Sequence, residues 1–461
     1  MSFTMPVFFL FLPAVLLLYR IIPGRWKWVM LLAASLLFYA WHNVWLLSLI
    51  LTTILVTYFC ARLIEEAETQ KEKKGAVVCS TCVCLGILAV FKYLDFITGN
   101  IVSLANLCGA DIHFAGFGLL LPMGISFYVF QTMSYTFDVY RGTVPAERHL
   151  GYYALFVTFF PQLVAGPIER PENLLPQLRK AGKPQRADLS EGFSLLIRGY
   201  AKKVLIADYL SGYVDHTYSI SGSADGSALA VATILFAFQI YCDFSGYSDI
   251  AQGCARFMGI RLMDNFRLPY RAASIREFWR RWHISLTDWF TDYLYIPLGG
   301  SRNGSLRTGL NILITFLISG LWHGANWTYV IWGGLHGVYL ILERLIKRPP
   351  GRVVTFSLVC FAWVFFRSET TAQALEILER IFSVWGPEQL LADLGMTRLE
   401  LLIAGLLLCL LPMIERVFLP AQSDRSGTSL LAYYYLILAI FVCRILVLTQ
   451  FGSTSFIYFQ F

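Results

Sequence analysis

Long apolar runs recur along this chain with only short charged interruptions, and that alternation limits its fold more than any other feature. The runs cover residues 5–21, 28–43, 45–62, 76–94, 116–137, 151–166, 227–246, 309–322, 327–345, 353–366, 399–414 and 429–448, and stretches near 192–217 and 247–260 are candidates to extend the series. A bilayer-spanning helix needs about 20 mainly apolar residues, so most of these runs read as spans. With 57% hydrophobic and 15% charged residues and a mean hydropathy of +0.59, the 461 residues carry more apolar surface than one soluble core could hide. The expected fold is an all-α polytopic membrane protein.

The positions of lysine and arginine predict orientation. Arg20, Arg25 and Lys27 follow the first run, and Lys71, Lys73 and Lys74 follow the third, which places both loops in the cytoplasm and the N-terminus outside. The first run has no basic leader and no small-x-small cleavage site before Arg20, so it reads as a retained span rather than a signal peptide. Residues 167–203 and 261–307 are also basic and read as cytoplasmic, the latter with eight arginines against four acids. Arg141 and Arg148 read as inside too, which requires the run 151–166 to enter the membrane and return. Residues 344–352 are basic and inside, whereas 367–400 is comparatively acidic and outside, and two further spans put the C-terminus outside as well. The net charge of +7 then sits mainly on one face, where most of it serves to set topology.

The ten cysteines form no evident disulfide framework. Several lie in apolar runs as small hydrophobes, and Cys79 and Cys82 have Cys-x-x-Cys spacing without the second pair or histidine that a zinc site needs. No metal ligand set, fixed-period repeat or nucleotide loop is visible. The longest polar insertion, 170–191, contains Pro171, Pro176 and Pro184 and reads as a connection, so residues 1–461 are expected to form a single membrane domain.

The central third departs from an ordinary helical bundle. Between Arg261 and Arg307 charged and aromatic residues interleave with no twenty-residue apolar run, and Ser274-Ile275-Arg276-Glu277 matches a capping box that should start a helix. On that helix Trp279, His283, Leu286 and Phe290 share one face by three-and-four spacing, while Arg276 and Arg280 share another. Non-spanning segments at membrane depth are tolerated only inside protein or beside water, which implies a polar cavity entered from the cytoplasmic side. His323 ends the run 309–322 in Gly320-Leu321-Trp322-His323-Gly324, with Gly324 as a helix stop. An ionisable group at such depth is a functional candidate because of its burial cost. Alone, His323 would read as a core histidine, and a partner in His283 favours a catalytic pair. His336, in Gly333-Gly334-Leu335-His336-Gly337, reads as packing at a close helix contact. His42, His113, His149 and His216 carry no pattern. Asp243 and Asp249 sit in an otherwise apolar segment and read as structural partners of buried arginines or tyrosines.

Five segments together resemble the membrane-bound O-acyltransferase family. They are Leu121-Pro122-Met123-Gly124-Ile125-Ser126-Phe127 with Asp138-Val139-Tyr140-Arg141-Gly142, then Phe159-Phe160-Pro161-Gln162-Leu163-Val164-Ala165-Gly166-Pro167-Ile168, Tyr241-Cys242-Asp243-Phe244-Ser245-Gly246-Tyr247-Ser248-Asp249, the stretch 265–300, and Leu321-Trp322-His323-Gly324-Ala325. The resemblance covers nearly the whole chain and is closer to the alginate O-acetyltransferase subunit I branch than to the D-alanyl-teichoic-acid branch. It implies a bowl of about 11–14 helices around a thin centre with a cytoplasmic funnel, an acyl thioester entering from the cytoplasm, and an acceptor outside. It also maps the family's catalytic histidine onto His323 and its variable second polar position onto His283.

A hydroxyl is a poor nucleophile at neutral pH, and a histidine acting as general base typically contributes roughly 10²- to 10⁴-fold. His323 is expected to be that base. His283 would hold a tautomer, orient the thioester or donate to the developing oxyanion. Arg267, Arg271, Arg276, Arg280 and Arg281 are candidates to hold the phosphates of coenzyme A or of a phosphopantetheine carrier arm, the alternative for each being topology alone. No tightly bound cofactor is expected; acetyl-CoA or another acyl thioester is the donor substrate. Expected partners are membrane lipid, the acyl-CoA or acyl-carrier protein and, by resemblance, an extracytoplasmic SGNH-type acyltransferase, but not nucleic acid.

Residues 449–461 form an extracytoplasmic tail ending Phe456-Ile457-Tyr458-Phe459-Gln460-Phe461, with no charged side chain. Its ending resembles that of extracellular-polymer acyltransferase systems in which a tyrosine is a proposed acyl relay. Tyr458 is therefore expected to be a relay or a docking element, with an interfacial aromatic anchor as the alternative. The functional expectation is transfer of an acyl group, most simply acetyl, from a cytoplasmic thioester to a hydroxyl of an extracellular polysaccharide or wall polymer. Its competitors are D-alanyl transfer of the teichoic-acid type and a proton-coupled transporter using the two histidines as a relay.

Overall fold

The apolar runs fold as helices because a backbone removed from water must satisfy its own N–H and C=O groups. In the computed structural model 74% of the described residues are helical and none of them forms a strand, as that constraint demands. The structure describes residues 1–417 apart from His42, Leu120, Ala165 and Ala181. The predicted run 429–448 and the aromatic tail with Tyr458 lie outside them, as does His42. Four helices are long and apolar enough to cross a membrane: Leu46–Glu66, Gln70–Leu107, Gly226–Arg256 and Gly304–His323. The described residues gather into two compact units, one of Met1–Gln185 with Ala255–Met263, the other of Arg186–Cys254 with the chain from Asp264 onward.

The first unit contains α1 (Phe8–Ile21), α2 (Lys27–Ala40), α3 (Leu46–Glu66), α4 (Gln70–Leu107), α5 (Ile125–Arg141), α6 (Leu150–Thr158), α7 (Phe160–Leu163) and α8 (Pro171–Arg179). Its core is aromatic: Phe3, Phe8, Phe11, Phe38 and Phe160 pack with ring centroids 5.0–6.2 Å apart. One expectation changes here, and a second gains its physical reason. The run 116–137 is helical only from Ile125, because Pro122 and the left-handed Gly116, Gly118 and Gly124 keep the preceding chain out of helix. Gly124 is needed twice over, since a Cβ there would stand 2.7 Å from the Leu163 carbonyl. The run 151–166 breaks at Phe159 into α6 and α7, and α6, with nine residues and a rise of about 1.5 Å each, is too short to cross.

Glu169 closes this unit. Fully buried, it accepts from the Met263 N–H at 2.6 Å and from Asn173 Nδ2 at 2.7 Å, tying the loop before α8 to the returning segment Ala255–Met263. Desolvation pushes its pKa up to about 7 against these two stabilising hydrogen bonds.

The second unit contains α9 (Arg186–Tyr200), which passes through a π-helical turn at Ala201–Ala207 into α10 (Asp208–Ser219), then α11 (Gly226–Arg256), α12 (Ile275–Trp279), α13 (Ile284–Phe290), α14 (Gly304–His323), α15 (Trp327–Ile346), α16 (Arg352–Arg367), α17 (Thr371–Ser383) and α18 (Arg398–Val417). The stretch 247–260 adds no helix of its own; it continues α11 as far as Arg256. A π turn offsets the side chains that follow it. Here it presents two adjacent lysines to α11: Lys202 pairs with Asp249, while Lys203 pairs with Asp243 at 2.7 Å and Asp208 at 2.9 Å. Arg198 forks onto Asp249 at 2.8 and 2.5 Å, and Lys202 also reaches Glu415 of α18 at 3.2 Å. Asp243 and Asp249 are thus partners of buried cations, lysines as well as an arginine.

Helices α14 and α15 cross almost backbone to backbone. A Cβ on Gly320 would lie 2.2 Å from the Tyr329 carbonyl oxygen, and one on Gly333 would lie 2.1 Å from that of Phe316. Small residues at such a crossing are what membrane helices use to approach closely. This crossing fixes the end of α14, where His323 stands.

Candidate active site

The segment before His283 does not fold as one helix. Ser274 caps α12 as predicted, its Oγ accepting from the Glu277 N–H at 3.1 Å, but the Glu277 carboxylate turns to the Ala273 N–H at 2.7 Å and to Arg281. That N–H, ahead of Arg281, holds the Glu277 carboxyl below the usual range. Helix α12 stops at Trp279, and His283, with φ 44° and ψ 54°, is the residue preceding α13. The predicted common face of Trp279, His283, Leu286 and Phe290 is therefore cut in two.

The cause is tertiary. The Arg267 N–H donates to the Arg281 carbonyl at 2.9 Å and the Ile284 N–H to the Asn265 carbonyl at 3.0 Å, a strap that grips the chain on both sides of Trp282 and His283. Asn265, itself buried, accepts through Oδ1 from Ser285 Oγ at 2.7 Å and the Ser285 N–H at 3.3 Å, and donates through Nδ2 to Ser248 Oγ of α11 at 3.4 Å. A non-glycine residue in the left-handed region costs about 1–3 kcal/mol and persists only where the surroundings enforce it. Among the described residues the others are Leu268, in the same strap, and Lys347.

His283 is fully buried. Phe244 stands edge-on to it at 4.6 Å and Trp322 lies 6.3 Å away, ring centroid to ring centroid. Burial pulls its pKa well below the ordinary imidazole value, so the ring is neutral and can act as donor or acceptor.

His323 is the last residue of α14 and is 3% exposed. It packs against Trp322 at 5.0 Å, edge-on to Trp332 at 5.0 Å, and against Phe366 at 5.5 Å. Gly324 ends the helix in an extended conformation, and the reason for glycine is space, since a Cβ would meet the Tyr329 ring at 2.1 Å. Asn326 then caps α15, accepting from the Thr328 N–H at 3.1 Å and donating to the Glu369 carbonyl at 2.8 Å, which anchors the turn carrying His323. The fold thus brings His283 and His323 to the same indole, Trp322, from segments far apart in sequence.

The arginines separate into two sets. Arg267 pairs with Asp264 and Arg281 with Glu277, whereas Arg271, Arg276 and Arg280 are exposed and make no ion pair among the described residues. Only the second set has its full guanidinium fork available for phosphate. The clamp at Asn265 and the cap at Asn326 escaped the sequence reading, although Asn265 begins one of the family-like segments and Asn326 follows Gly324 in the position of a helix start.

A helical membrane protein with two imidazoles buried among indoles has the parts of an enzyme that moves protons out of contact with water. The membrane-bound O-acyltransferase family profile matches residues 147–349. The chain is 41% identical to a probable alginate O-acetylase AlgI of Azotobacter vinelandii, over 88% of this chain and 83% of that protein. It is 39% identical to the Pseudomonas putida protein of the same description, over the full length of both. It is 34% identical to a peptidoglycan O-acetyltransferase of Helicobacter pylori, over 83% of this chain and 80% of that protein. Teichoic acid D-alanyltransferases are similar to it more distantly. The chain belongs to the membrane-bound O-acyltransferase family, and it is a multi-pass membrane O-acyltransferase.

Proposed function

We propose that this enzyme takes an acetyl group from a cytoplasmic thioester and passes it across the membrane toward hydroxyls of an extracellular polysaccharide or cell-wall polymer. The relatives' descriptions, alginate O-acetylase and peptidoglycan O-acetyltransferase, support acetyl and an envelope polymer over D-alanyl transfer. His323 is the general base that accepts the proton of the attacking hydroxyl, and His283 orients the thioester beside it. The observation that carries this reading is the convergence of both imidazoles on Trp322, with the His283 backbone held in a left-handed conformation by the Asn265 strap. Arg271, Arg276 and Arg280 take the donor's phosphates, whether on coenzyme A or on a carrier's phosphopantetheine arm. Tyr458 presents the acceptor phenol or docks an SGNH-type partner that completes delivery outside. The enzyme sits in the cytoplasmic membrane with both termini outside.

Purified protein incubated with acetyl-CoA labelled in the acetyl group tests the proposal. Label should move to the protein or to a hydroxyl acceptor, with stoichiometric release of free thiol. A transporter would consume no thioester and transfer no label. A carrier-fed D-alanyl transferase would be inert to acetyl-CoA and active with the charged carrier.

A further inference from the structure

The aromatic cluster beside His323 buries a third histidine, His336, which the mechanism above does not use. Trp279 Nε1 donates to His336 Nδ1 at 3.3 Å. A neutral imidazole has one accepting nitrogen and one N–H, so this bond places the His336 proton on Nε2. Among the described residues that Nε2 has no hydrogen-bond partner, and neither has Nε1 of Trp332, one helical turn earlier on α15. Both side chains are fully buried. Spacing of i and i+4 sets them on one face of the helix, with ring centroids 5.1 Å apart, and the Trp332 ring is 5.0 Å from that of His323. Buried N–H groups are normally paired, and two unpaired donors on successive turns need a reason.

We propose that His336 Nε2–H and Trp332 Nε1–H receive the carbonyl oxygen of the acyl group as it is transferred. The inference rests on His323 being the base. As the hydroxyl oxygen bonds to the thioester carbon, its proton passes to His323 and the carbonyl π pair moves onto oxygen. The oxyanion then collapses, the C=O bond re-forms, the C–S bond breaks, and the leaving thiolate takes the proton back from His323. Negative charge appears only on that oxygen in the intermediate, and donors already fixed in a dry site stabilise it without reorganising. The Trp279 bond is what keeps the His336 proton on the required nitrogen. The alternative role is packing alone, at the close crossing of Gly320 and Gly333.

Amide side chains separate the two roles. His336→Asn keeps an acceptor near Nδ1 for Trp279 but has no N–H reaching the Nε2 position, whereas His336→Gln keeps an N–H there. In acetyl transfer H336N should lose about 100-fold in kcat, with KM changed less than about threefold, and H336Q should lose at least about tenfold less. Trp332→Phe, which keeps the ring and removes the N–H, should lose at least about tenfold in kcat. H336N as active as H336Q, or W332F within about threefold of the unmodified enzyme, overturns the proposal. Because a variant can fail to fold, the unmodified protein supplies a second readout with a ketone analogue of the acetyl thioester, methylene replacing sulfur. Its isotope-edited carbonyl stretch should fall below the frequency found in empty detergent micelles, and a stretch at or above that frequency also overturns the proposal. Loss of transfer in His323→Ala with normal kinetics in H336N and W332F defeats only this inference. Transfer retained in H323A, with the losses in H336N and W332F, defeats only the assignment of the base.

Discussion

At the scale of single residues, the turn at His283 depends on Asn265, a residue outside the histidine pair. Asn265 holds the N-terminus of α13 through Ser285 and so enforces the left-handed turn at His283. Replacing it with alanine removes both of its bonds to the buried Ser285, at a cost of about 1–3 kcal/mol, and releases the strained turn. Asn265→Ala should therefore lower kcat more than tenfold relative to Ser248→Ala, which loses only a 3.4 Å contact; label-transfer kinetics on both variants check this. Glu169 makes a prediction about pH. Its pKa is raised to about 7 from the ordinary 4.5, so the folded state favours the protonated form. The stabilisation is complete below about pH 4.5 and is lost as pH rises through about 7. Thermal unfolding in detergent between pH 5 and 8 should show the protein losing stability relative to Glu169→Gln as pH rises; parallel curves would mean that Glu169 is not the titrating group.

At the scale of elements, the crossing of α14 and α15 and the ion network on α11 set where the histidines can be. Gly333→Leu puts a branched side chain against the Phe316 carbonyl, and overpacking of that kind costs about 1–3 kcal/mol or more. The variant should unfold at lower temperature and lose transfer in proportion to the displacement of His323. Asp249→Ala takes the paired carboxylate from buried Arg198 and leaves Lys202 with Glu415 alone, and breaking a buried pair costs about 3–5 kcal/mol. It should fail to accumulate in membranes, whereas Arg267→Ala, at an exposed pair worth about 0–1 kcal/mol, should accumulate normally. These elements also show which parts of the fold the sequence made legible. The end of α14 at His323 was readable because an apolar run stops there at a glycine. The cap at Ser274 was readable because it is local. The break before His283 was not, since three-and-four periodicity runs straight through it and the strap that breaks it comes from Asn265 and Arg267. Charge pattern placed five arginines in one segment but could not separate those spent on Asp264 and Glu277 from those left with open forks. The bond between His336 and Trp279 was not legible either, because it joins α12 to α15, a pairing that no local pattern shows.

At the scale of the whole molecule, the account requires thioester chemistry on the cytoplasmic side and delivery on the other. The basic segments 261–307 and 344–352 should face the cytoplasm, and single cysteines placed at Arg302 and Glu379 should be labelled by an impermeant maleimide from opposite sides of intact cells. Tyr458 separates two delivery routes. If its phenol relays the acyl group, Tyr458→Phe abolishes polymer modification while thioester turnover at His323 persists only as slow hydrolysis; a variant transferring at the normal rate leaves docking as the role of the tail. All of this depends on His323 as the base. The most direct test is acetyl transfer by His323→Ala, purified at the same yield and thermal stability as the unmodified protein. The account predicts a loss of about 100-fold or more in kcat, and transfer at the unmodified rate would contradict it.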